Sequence, residues 1–210
     1  MTRSAAVLIT DGGGAVARCR AAVEGQTAAV AAVVVAGDPA AGIAECLETG
    51  CEAVWILDGA PVPAPDALEL LLGAGGAVRC GMVLDALGRP CAGAEPRIAE
   101  RAVAEMAASV ASGVVPLRHA PLAHALVEAG RARTVPFPRA SDYGAQAGHV
   151  WTTRLLRGEL GSWVTRSVAT AEPCTAAAPP SPRVGVRLLR SGTWTVNEAV
   201  DQAVKRVGRR

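Results

Sequence analysis

Residues Val54–Leu68 read VWILDGAPVPAPDAL and decide the fold of this chain. A short apolar run ends in one carboxylate, Asp58, and is followed by a Gly-Ala pair and three interspersed prolines. A continuous apolar run of this length is typical of a strand that is buried on both faces of a sheet. A Pro-Asp pair then favours the start of a helix at Ala67. The stretch therefore predicts a buried strand, a polar turn and a helix.

Similar apolar runs recur along the first half of the chain, with helix-like stretches between them. This order predicts a single α/β domain whose mainly parallel, Rossmann-like sheet is flanked by helices. We place the domain at residues 1–174, a linker rich in Ala and Pro at 175–183, and a basic helical tail at 184–210. The predicted strands are Ala5–Ile9, Val30–Val35, Ala53–Leu57 and Val78–Leu84.

The second half has a looser pattern. We expect a short strand and then a helix that ends at Gly130, and a long loop over residues 133–151, which are dense in Pro, Gly, Ser and Asp. Loops of this length in a compact domain are often functional. A helix over Val150–Arg157 and a strand over Trp163–Ala169 follow.

The cysteines and the N-terminus indicate the compartment. The six cysteines have no C-x-x-C spacing, so we expect buried thiols in a reducing environment rather than a zinc site. The apolar run near the N-terminus is too short for a signal peptide or a membrane span. We therefore expect a cytoplasmic protein.

The C-terminal tail carries a local excess of positive charge. Residues 184–210 contain six Lys or Arg residues against two carboxylates, although the whole chain has a formal charge of only +2. Such a tail favours peripheral contact with a membrane surface or with a protein partner; we expect no nucleic acid as a partner. The alternative is a solvated helix end, where cations are favoured by the helix dipole.

Three carboxylates follow the first three predicted strands. Asp11, Asp38 and Asp58 should meet at the carboxyl edge of the sheet, where ligands bind in open α/β folds. Carboxylates that lie close together usually share a cation or a polar ligand. The alternative is that each one caps a helix or forms a turn. The glycines after Asp11 lack the spacing of a phosphate-binding loop, so they are a weak phosphate motif.

The order VLITDGGGAVARCRAAVEGQT, VAAVVVAGDP and GIAECLETGCEAVWILDGAPVPAPDALELL resembles the N-terminal half of family-2 glycosyltransferases, which have the GT-A fold. The resemblance implies that Asp38 contacts the nucleotide base and that Asp58 is the first carboxylate of an Asp-x-Asp motif at the donor diphosphate. The Gln-Thr pair of the family falls on Gln26 and Thr27. The family's P-x-P-D-x-L element is matched by residues 63–68.

The chain departs from the family at its acidic positions. Ala60 stands where the last carboxylate of the Asp-x-Asp motif would be, so a divalent metal, Mg²⁺ or Mn²⁺, at Asp58 should be weakly held. The acidic pair that supplies the family's catalytic base falls on Ala147 and Gly148. The remaining candidates for the base are Asp142 and His149; a histidine at a helix start without a catalytic role is the alternative.

The resemblance implies an enzyme that transfers a sugar from a UDP-, GDP- or dTDP-sugar to an acceptor hydroxyl. A different class of function is a catalytically silent GT-A domain that acts as a binding, scaffold or regulatory protein, because the site positions are substituted while the core pattern is intact. A nucleotidyltransferase of similar architecture is a third, weaker hypothesis, since the Gly-rich segment contains no Lys.

Overall fold

The computed structural model describes residues 4–10, 13–91, 97–98, 113–157 and 159–171. The predicted linker, the basic tail and Asp11 lie outside the described residues. The strands are β1 (Ala5–Thr10), β2 (Val30–Ala36), β3 (Ala53–Leu57), β4 (Val62–Pro63), β5 (Val78–Leu84), β6 (Arg97–Ile98), β7 (Val114–His119), β8 (Ala125–Glu128) and β9 (Gly161–Thr170). The helices are α1 (Val16–Glu24), α2 (Pro39–Glu48), α3 (Ala67–Gly73), α4 (Ala129–Thr134), α5 (Ala140–Tyr143) and α6 (Ala147–Leu155).

The strands form one sheet in the order β2-β1-β3-β8-β5-β9-β7-β6, and β4 pairs with β9. β1 is parallel to β2 and to β3, and β5 is parallel to β9. β8 is antiparallel to both β3 and β5, so those two strands point the same way. β7 is antiparallel to β9, and β6 is antiparallel to β7. Six of the described strands, β1, β2, β3, β5, β6 and β9, therefore share one direction, and the predicted mainly parallel α/β fold is confirmed.

The segment before Gly130 differs from its prediction. The expected strand is present as β7, but the expected helix is replaced by a 3-10 turn at Leu122–His124 and by strand β8. The helix α4 starts at Ala129, where the predicted helix was to end. The reason is tertiary: Ala125–Glu128 fills the gap between β3 and β5, where backbone pairing on both sides outweighs local helix propensity.

Both faces of the sheet are covered by apolar clusters. In β1 and β3, alternate side chains belong to opposite clusters: Leu8 and Ile56 pack with α2 and α6, whereas Val7 and Trp55 pack with α1 and α3. This arrangement explains why the strands are continuously apolar rather than alternating. No helix among the described residues is long and apolar enough to cross a membrane.

Most of the described cysteines are inert core residues. Cys19, Cys46, Cys51 and Cys80 are buried thiols, and burial raises the pKa of Cys19 and of Cys46 to about 12. Thiols with such pKa values are not nucleophilic at neutral pH. Cys91 is disulfide-bonded, so the thiol prediction was wrong for that residue.

Candidate functional site

Asp58 lies at the carboxyl end of β3 and faces solvent. Its neighbour across the sheet is Thr10, the last residue of β1, whose side chain is 4% exposed. The Thr10 hydroxyl donates a hydrogen bond to Asp58 Oδ1, and the Thr10 hydroxyl oxygen accepts one from the Gly59 N–H at 3.0 Å. Thr10 therefore holds the Asp58 carboxylate in one orientation at the edge of the sheet.

Asp38 follows β2 and caps helix α2. Its carboxylate accepts a hydrogen bond from the Ala40 N–H at 3.2 Å, and Pro39 occupies the first helical position. Because β1 lies between β2 and β3, the ends of those two strands are about 10 Å apart. The structure thus brings Asp38 and Asp58 to the same edge, and it also gives Asp38 the capping role that was the alternative.

The turn after Asp58 directs Ala60 into the core. Gly59 and Ala60 have φ angles of 79° and 53°, and Ala60 is the non-glycine residue with positive φ among those described. Its methyl group is 2% exposed and belongs to the same apolar cluster as Leu57 and Ala67. The Ala60 side chain, at the position where the resemblance implies the second carboxylate of an Asp-x-Asp motif, therefore lies in apolar packing.

The donor set at this edge is small for a divalent metal. Mg²⁺ and Mn²⁺ require several oxygen ligands, and one oxygen of Asp58 is already engaged by Thr10. Within the described part of the chain, no group of three His, Cys, Asp or Glu side chains could hold a metal ion. The residues present do not by themselves fit the metal, and no step below depends on it.

The proline-rich segment after Asp58 is held by Gln26. Its side-chain N–H groups donate to the carbonyls of Ala22 at 3.1 Å and Ala64 at 2.7 Å. Its carbonyl accepts from the Leu68 N–H at 3.0 Å, at the start of α3. Gln26 therefore ties α1 both to the proline-rich segment and to the next helix.

Thr27 extends this contact. Its N–H donates to the Pro65 carbonyl at 2.9 Å, and its hydroxyl donates to Glu69 at 2.7 Å. We call these two residues and their partners in residues 64–69 the Gln26–Thr27 clamp. Sequence reasoning noted the Gln-Thr pair only as a family feature; its partners could not be seen because they lie about forty positions further on.

The two positions at which the resemblance implies an acidic pair, Ala147 and Gly148, are closely packed. Ala147 is 5% exposed. A Cβ atom at Gly148 would lie 2.5 Å from Leu122 Cδ1, well inside contact distance. The Leu122 carbonyl in turn accepts a hydrogen bond from the Asp58 N–H at 3.2 Å. Leu122 therefore joins the start of α6 to the Asp58 turn and fills the space between them.

His149 lies directly after Gly148 and is half-buried. Its Nδ1 is 2.8 Å from His119 Nε2, and the two ring centroids are 3.7 Å apart. His119, at the end of β7, is 8% exposed, and its Nδ1 is 2.9 Å from Thr152 Oγ1 on α6. The contact between His119 and His149 was not predicted from the sequence, because the two residues are thirty positions apart and no local spacing pairs them.

Asp142, the other candidate base, lies in α5 and is half-buried. Its N–H donates to the Arg139 carbonyl at 3.0 Å. Helix α5 packs against α6, so Asp142 and His149 belong to adjacent helices. Residues 133–151, expected to be a loop, are largely short helices that begin with the end of α4 and run into α6.

A buried polar chain lies beneath the Asp58 turn. The Trp55 indole N–H donates to His124 Nδ1 at 3.1 Å, and the Ser167 hydroxyl donates to the Ala67 carbonyl at 2.9 Å. The remaining bond, 2.9 Å between His124 Nε2 and Ser167 Oγ, must therefore be donated by the histidine. Burial lowers the pKa of His124 to about 3, so the ring is neutral.

Gly81 makes room for this chain. A Cβ atom there would lie 2.2 Å from His124 Cδ2 and 2.4 Å from the Ser167 carbonyl oxygen. The histidine ring thus packs directly on the backbone of β5. Sequence reasoning gave His124 no role, and its place in the chain identifies it as a core residue that joins β3, β9 and α3.

Several solved structures have a similar fold. TarS of S. aureus matches with a TM-score of 0.51 at 9% identity, over 84% of this chain and 37% of that chain. TarS 1-349 in complex with UDP matches with a TM-score of 0.51 at 10% identity, over 81% of this chain and 61% of that chain. A197 from STIV matches with a TM-score of 0.49 at 11% identity, over 80% and 84% of the two chains.

No family model and no curated protein sequence matches the chain. The chain spans less than two thirds of either TarS chain, so the similarity concerns one domain. TarS is a glycosyltransferase, and at this level of identity the likeness extends to the fold alone. The chain therefore has a GT-A-like fold, similar to that of a glycosyltransferase.

Proposed function

We propose that this chain binds a nucleotide-sugar at the carboxyl edge of β1, β2 and β3 and transfers the sugar to an acceptor hydroxyl. The observation that carries the proposal is the solvent-facing Asp58, oriented by Thr10, at the edge where open α/β sheets bind ligands. The similarity in fold to a TarS structure in complex with UDP supports a nucleotide as part of the ligand.

The residue roles are those that the resemblance to family-2 glycosyltransferases implies. Asp38, with Asp11 outside the described residues, would contact the nucleotide, and Asp58 would lie near the diphosphate. His149 is our candidate for the base that takes the proton of the acceptor hydroxyl, and Asp142 is the alternative. A Mg²⁺ or Mn²⁺ ion at Asp58 remains a prediction, which a titration with the metal tests directly.

The first test is calorimetric binding of UDP-, GDP- and dTDP-sugars with and without Mn²⁺. We expect one nucleotide class to bind and Asp58→Asn to weaken it at least tenfold. Asp66→Asn is a matched control, because Asp66 is also an exposed carboxylate after a turn and makes no capping hydrogen bond with its side chain. Failure of every nucleotide to bind would overturn the proposal.

A catalytically silent binding domain is the second candidate function. It is favoured by one specific observation: the two positions that carry carboxylates in the family are filled by apolar contacts, at Ala60 and at the Gly148–Leu122 contact. This function predicts nucleotide binding without consumption of the donor. Release of free nucleoside diphosphate, followed over hours with a panel of acceptors, distinguishes it from a transferase.

The basic tail supports a further part of the proposal, that residues 184–210 bring the domain to an anionic membrane surface or a protein partner. Cosedimentation of the full chain with lipid vesicles tests this membrane contact. One set of vesicles contains about 30% anionic lipid, which gives a roughly physiological surface charge, and the other set contains none. We expect binding only to the anionic vesicles and less of it at high salt. Replacement of Lys205, Arg206, Arg209 and Arg210 by Gln should abolish that binding if a membrane is the target.

A further inference from the structure

We propose that His119 is a positioning residue for His149, and that the two imidazoles and Thr152 form a single hydrogen-bond chain that replaces the missing carboxylate as the base. The inference rests on the proposed function, since the base acts on the acceptor hydroxyl. Its geometric basis is the pair of short contacts, 2.8 Å between the two rings and 2.9 Å between His119 and Thr152.

Thr152, at the buried end of the hydrogen-bond chain, determines which atom donates and which accepts in each of its bonds. Thr152 is fully buried, and its hydroxyl donates to the His149 carbonyl at 3.2 Å, the backbone contact that Thr commonly makes within a helix. That hydroxyl has one proton to donate, so Thr152 Oγ1 accepts from His119 Nδ1–H. His119 Nε2 then carries a lone pair and accepts from His149 Nδ1–H. The basic lone pair of His149 is consequently on Nε2.

His149 is connected to the Asp58 turn through its chain neighbour Gly148. Gly148 packs on Leu122, and the Leu122 carbonyl is bonded to the Asp58 N–H at 3.2 Å. His149 is therefore one residue away from the contact that joins α6 to the turn at the end of β3. A side chain at 148 has no room, whereas the imidazole at 149 turns toward His119 and remains half-exposed.

The reaction step balances with these groups alone. The acceptor O–H proton moves to His149 Nε2, and the oxygen electron pair forms the bond to the anomeric carbon of the donor. The bond between that carbon and the diphosphate oxygen breaks, and its electron pair leaves with the nucleoside diphosphate. The resulting His149 imidazolium keeps its Nδ1–H bond to the neutral His119, which stabilises the charge, and later releases the proton to water.

The first test is the tautomer of each histidine, read by ¹⁵N NMR of the imidazole nitrogens in the full chain at a pH where both rings are neutral. We expect His149 to be protonated on Nδ1 and to lack a proton on Nε2. Free neutral histidine favours the opposite tautomer, with the proton on Nε2. A proton on Nδ1 of His149 would therefore show that the hydrogen bond to His119 is present. A proton on His149 Nε2 would overturn the proposal, whatever the outcome of donor binding.

Two neighbouring threonines give a matched pair of variants. Thr152→Val removes the oxygen that accepts from His119. Thr153→Val removes the neighbouring hydroxyl, which donates to the His149 carbonyl at 2.9 Å. We expect the first variant to change the tautomers and the second to leave them unchanged. The same change in both variants, or in neither, would contradict the directed chain.

The kinetic test replaces His119. His119→Leu removes the acceptor of the His149 proton and should slow transfer roughly 10- to 100-fold with little change in donor affinity. His119→Gln supplies a side-chain oxygen as acceptor and should recover most of the rate. His149→Ala should slow transfer roughly 10²- to 10⁴-fold. Melting temperatures of the variants serve as controls for folding. If the Leu and Gln variants transfer at equal rates, His119 does not position His149 for the reaction.

Donor calorimetry on these variants separates the two proposals. If nucleotide-sugars do not bind, the proposed function fails, while the tautomer result still decides whether the hydrogen-bond chain exists. If they bind and are turned over but the tautomers are wrong, only the inference about His119 fails.

Discussion

The Gln26–Thr27 clamp and the region where Asp58, Ala60, Leu122 and Gly148 lie, which we call the Asp58–Gly148 edge, differ in how their side chains are paired. In the clamp, each polar group of the Gln26 side chain is engaged, with bonds to Ala22, Ala64 and Leu68. At the edge, Ala60 and Leu122 place apolar groups where the resemblance implies carboxylates. The comparison shows that polar pairing holds the proline-rich segment, whereas apolar packing fills the positions beside Asp58.

The largest expected effect comes from placing a carboxylate at position 60, where the resemblance implies one. Ala60→Asp would bury an unpaired charge among apolar side chains, so we expect it to lower the free energy of unfolding by about 3–5 kcal/mol and to add no metal affinity. Urea denaturation and a Mn²⁺ titration measure the two quantities. Ala60→Gly is the control: relief of the left-handed conformation offsets the lost methyl burial, so it should stay within about 1 kcal/mol of wild type.

An Ala60→Asp variant that is as stable as wild type and binds Mn²⁺ more tightly would break the comparison. It would show that a side chain at position 60 can face Asp58 and take part in a metal site.

The buried chain beneath the edge belongs with the scaffold and should impose a pH dependence on stability. His124 has a pKa near 3 when folded and about 6.5 when unfolded, so the unfolded chain takes up a proton first as the pH falls. Its contribution is present above pH 6.5 and is lost below it. The free energy of unfolding should fall by about 1.4 kcal/mol per pH unit below pH 6, or roughly 2 kcal/mol between pH 6.5 and pH 5.

Denaturation of wild type and of His124→Gln over pH 5–7 tests this. The variant should be less stable throughout but should lack most of the slope. Equal slopes in the two proteins would mean that His124 is protonated in the fold, and the polarity assigned to the Trp55–His124–Ser167 chain would then be wrong.

A smaller effect is expected from opening the clamp. Gln26→Leu removes three hydrogen bonds of a partly buried side chain, so it should cost about 1–3 kcal/mol of stability. Gln146→Leu is a matched control, because Gln146 is half-buried and makes no capping hydrogen bond with its side chain. Amide exchange at Leu68 should become faster in the first variant only; unchanged exchange there would show that the clamp does not hold α3.

The two regions also differ in how far the sequence predicts them. The apolar runs predict β1, β2, β3 and β5 because burial on both faces leaves a direct mark on composition. Strand β8 was missed because four residues, Ala125–Glu128, take their conformation from partners at positions 53–56 and 78–80. The sequence shows an alanine at position 60, where the resemblance implies a carboxylate. The inward direction of Ala60 depends on a backbone angle that residue identity does not reveal.

The candidate site follows the same rule. Asp38 and Asp58 were placed at one edge because strand ends are local features, and both predictions of position are met by the structure. The pairing of His149 with His119 depends on how α6 packs on β7, a contact between segments thirty residues apart. Sequence therefore gives the candidates, and packing decides which of them have partners.

The smallest expected effect concerns Asp38, where one carboxylate could serve both the scaffold and the chemistry. Asp38→Ala removes the side-chain acceptor for the Ala40 N–H and should cost about 1 kcal/mol of stability, whereas Asp38→Asn keeps an acceptor and should cost a few tenths. If Asp38 also contacts the nucleotide, both variants should weaken donor binding, although only one is destabilised. Asp38→Asn removes the negative charge but keeps the geometry of the helix cap. If donor affinity is unchanged in this variant, Asp38 acts only as a helix cap.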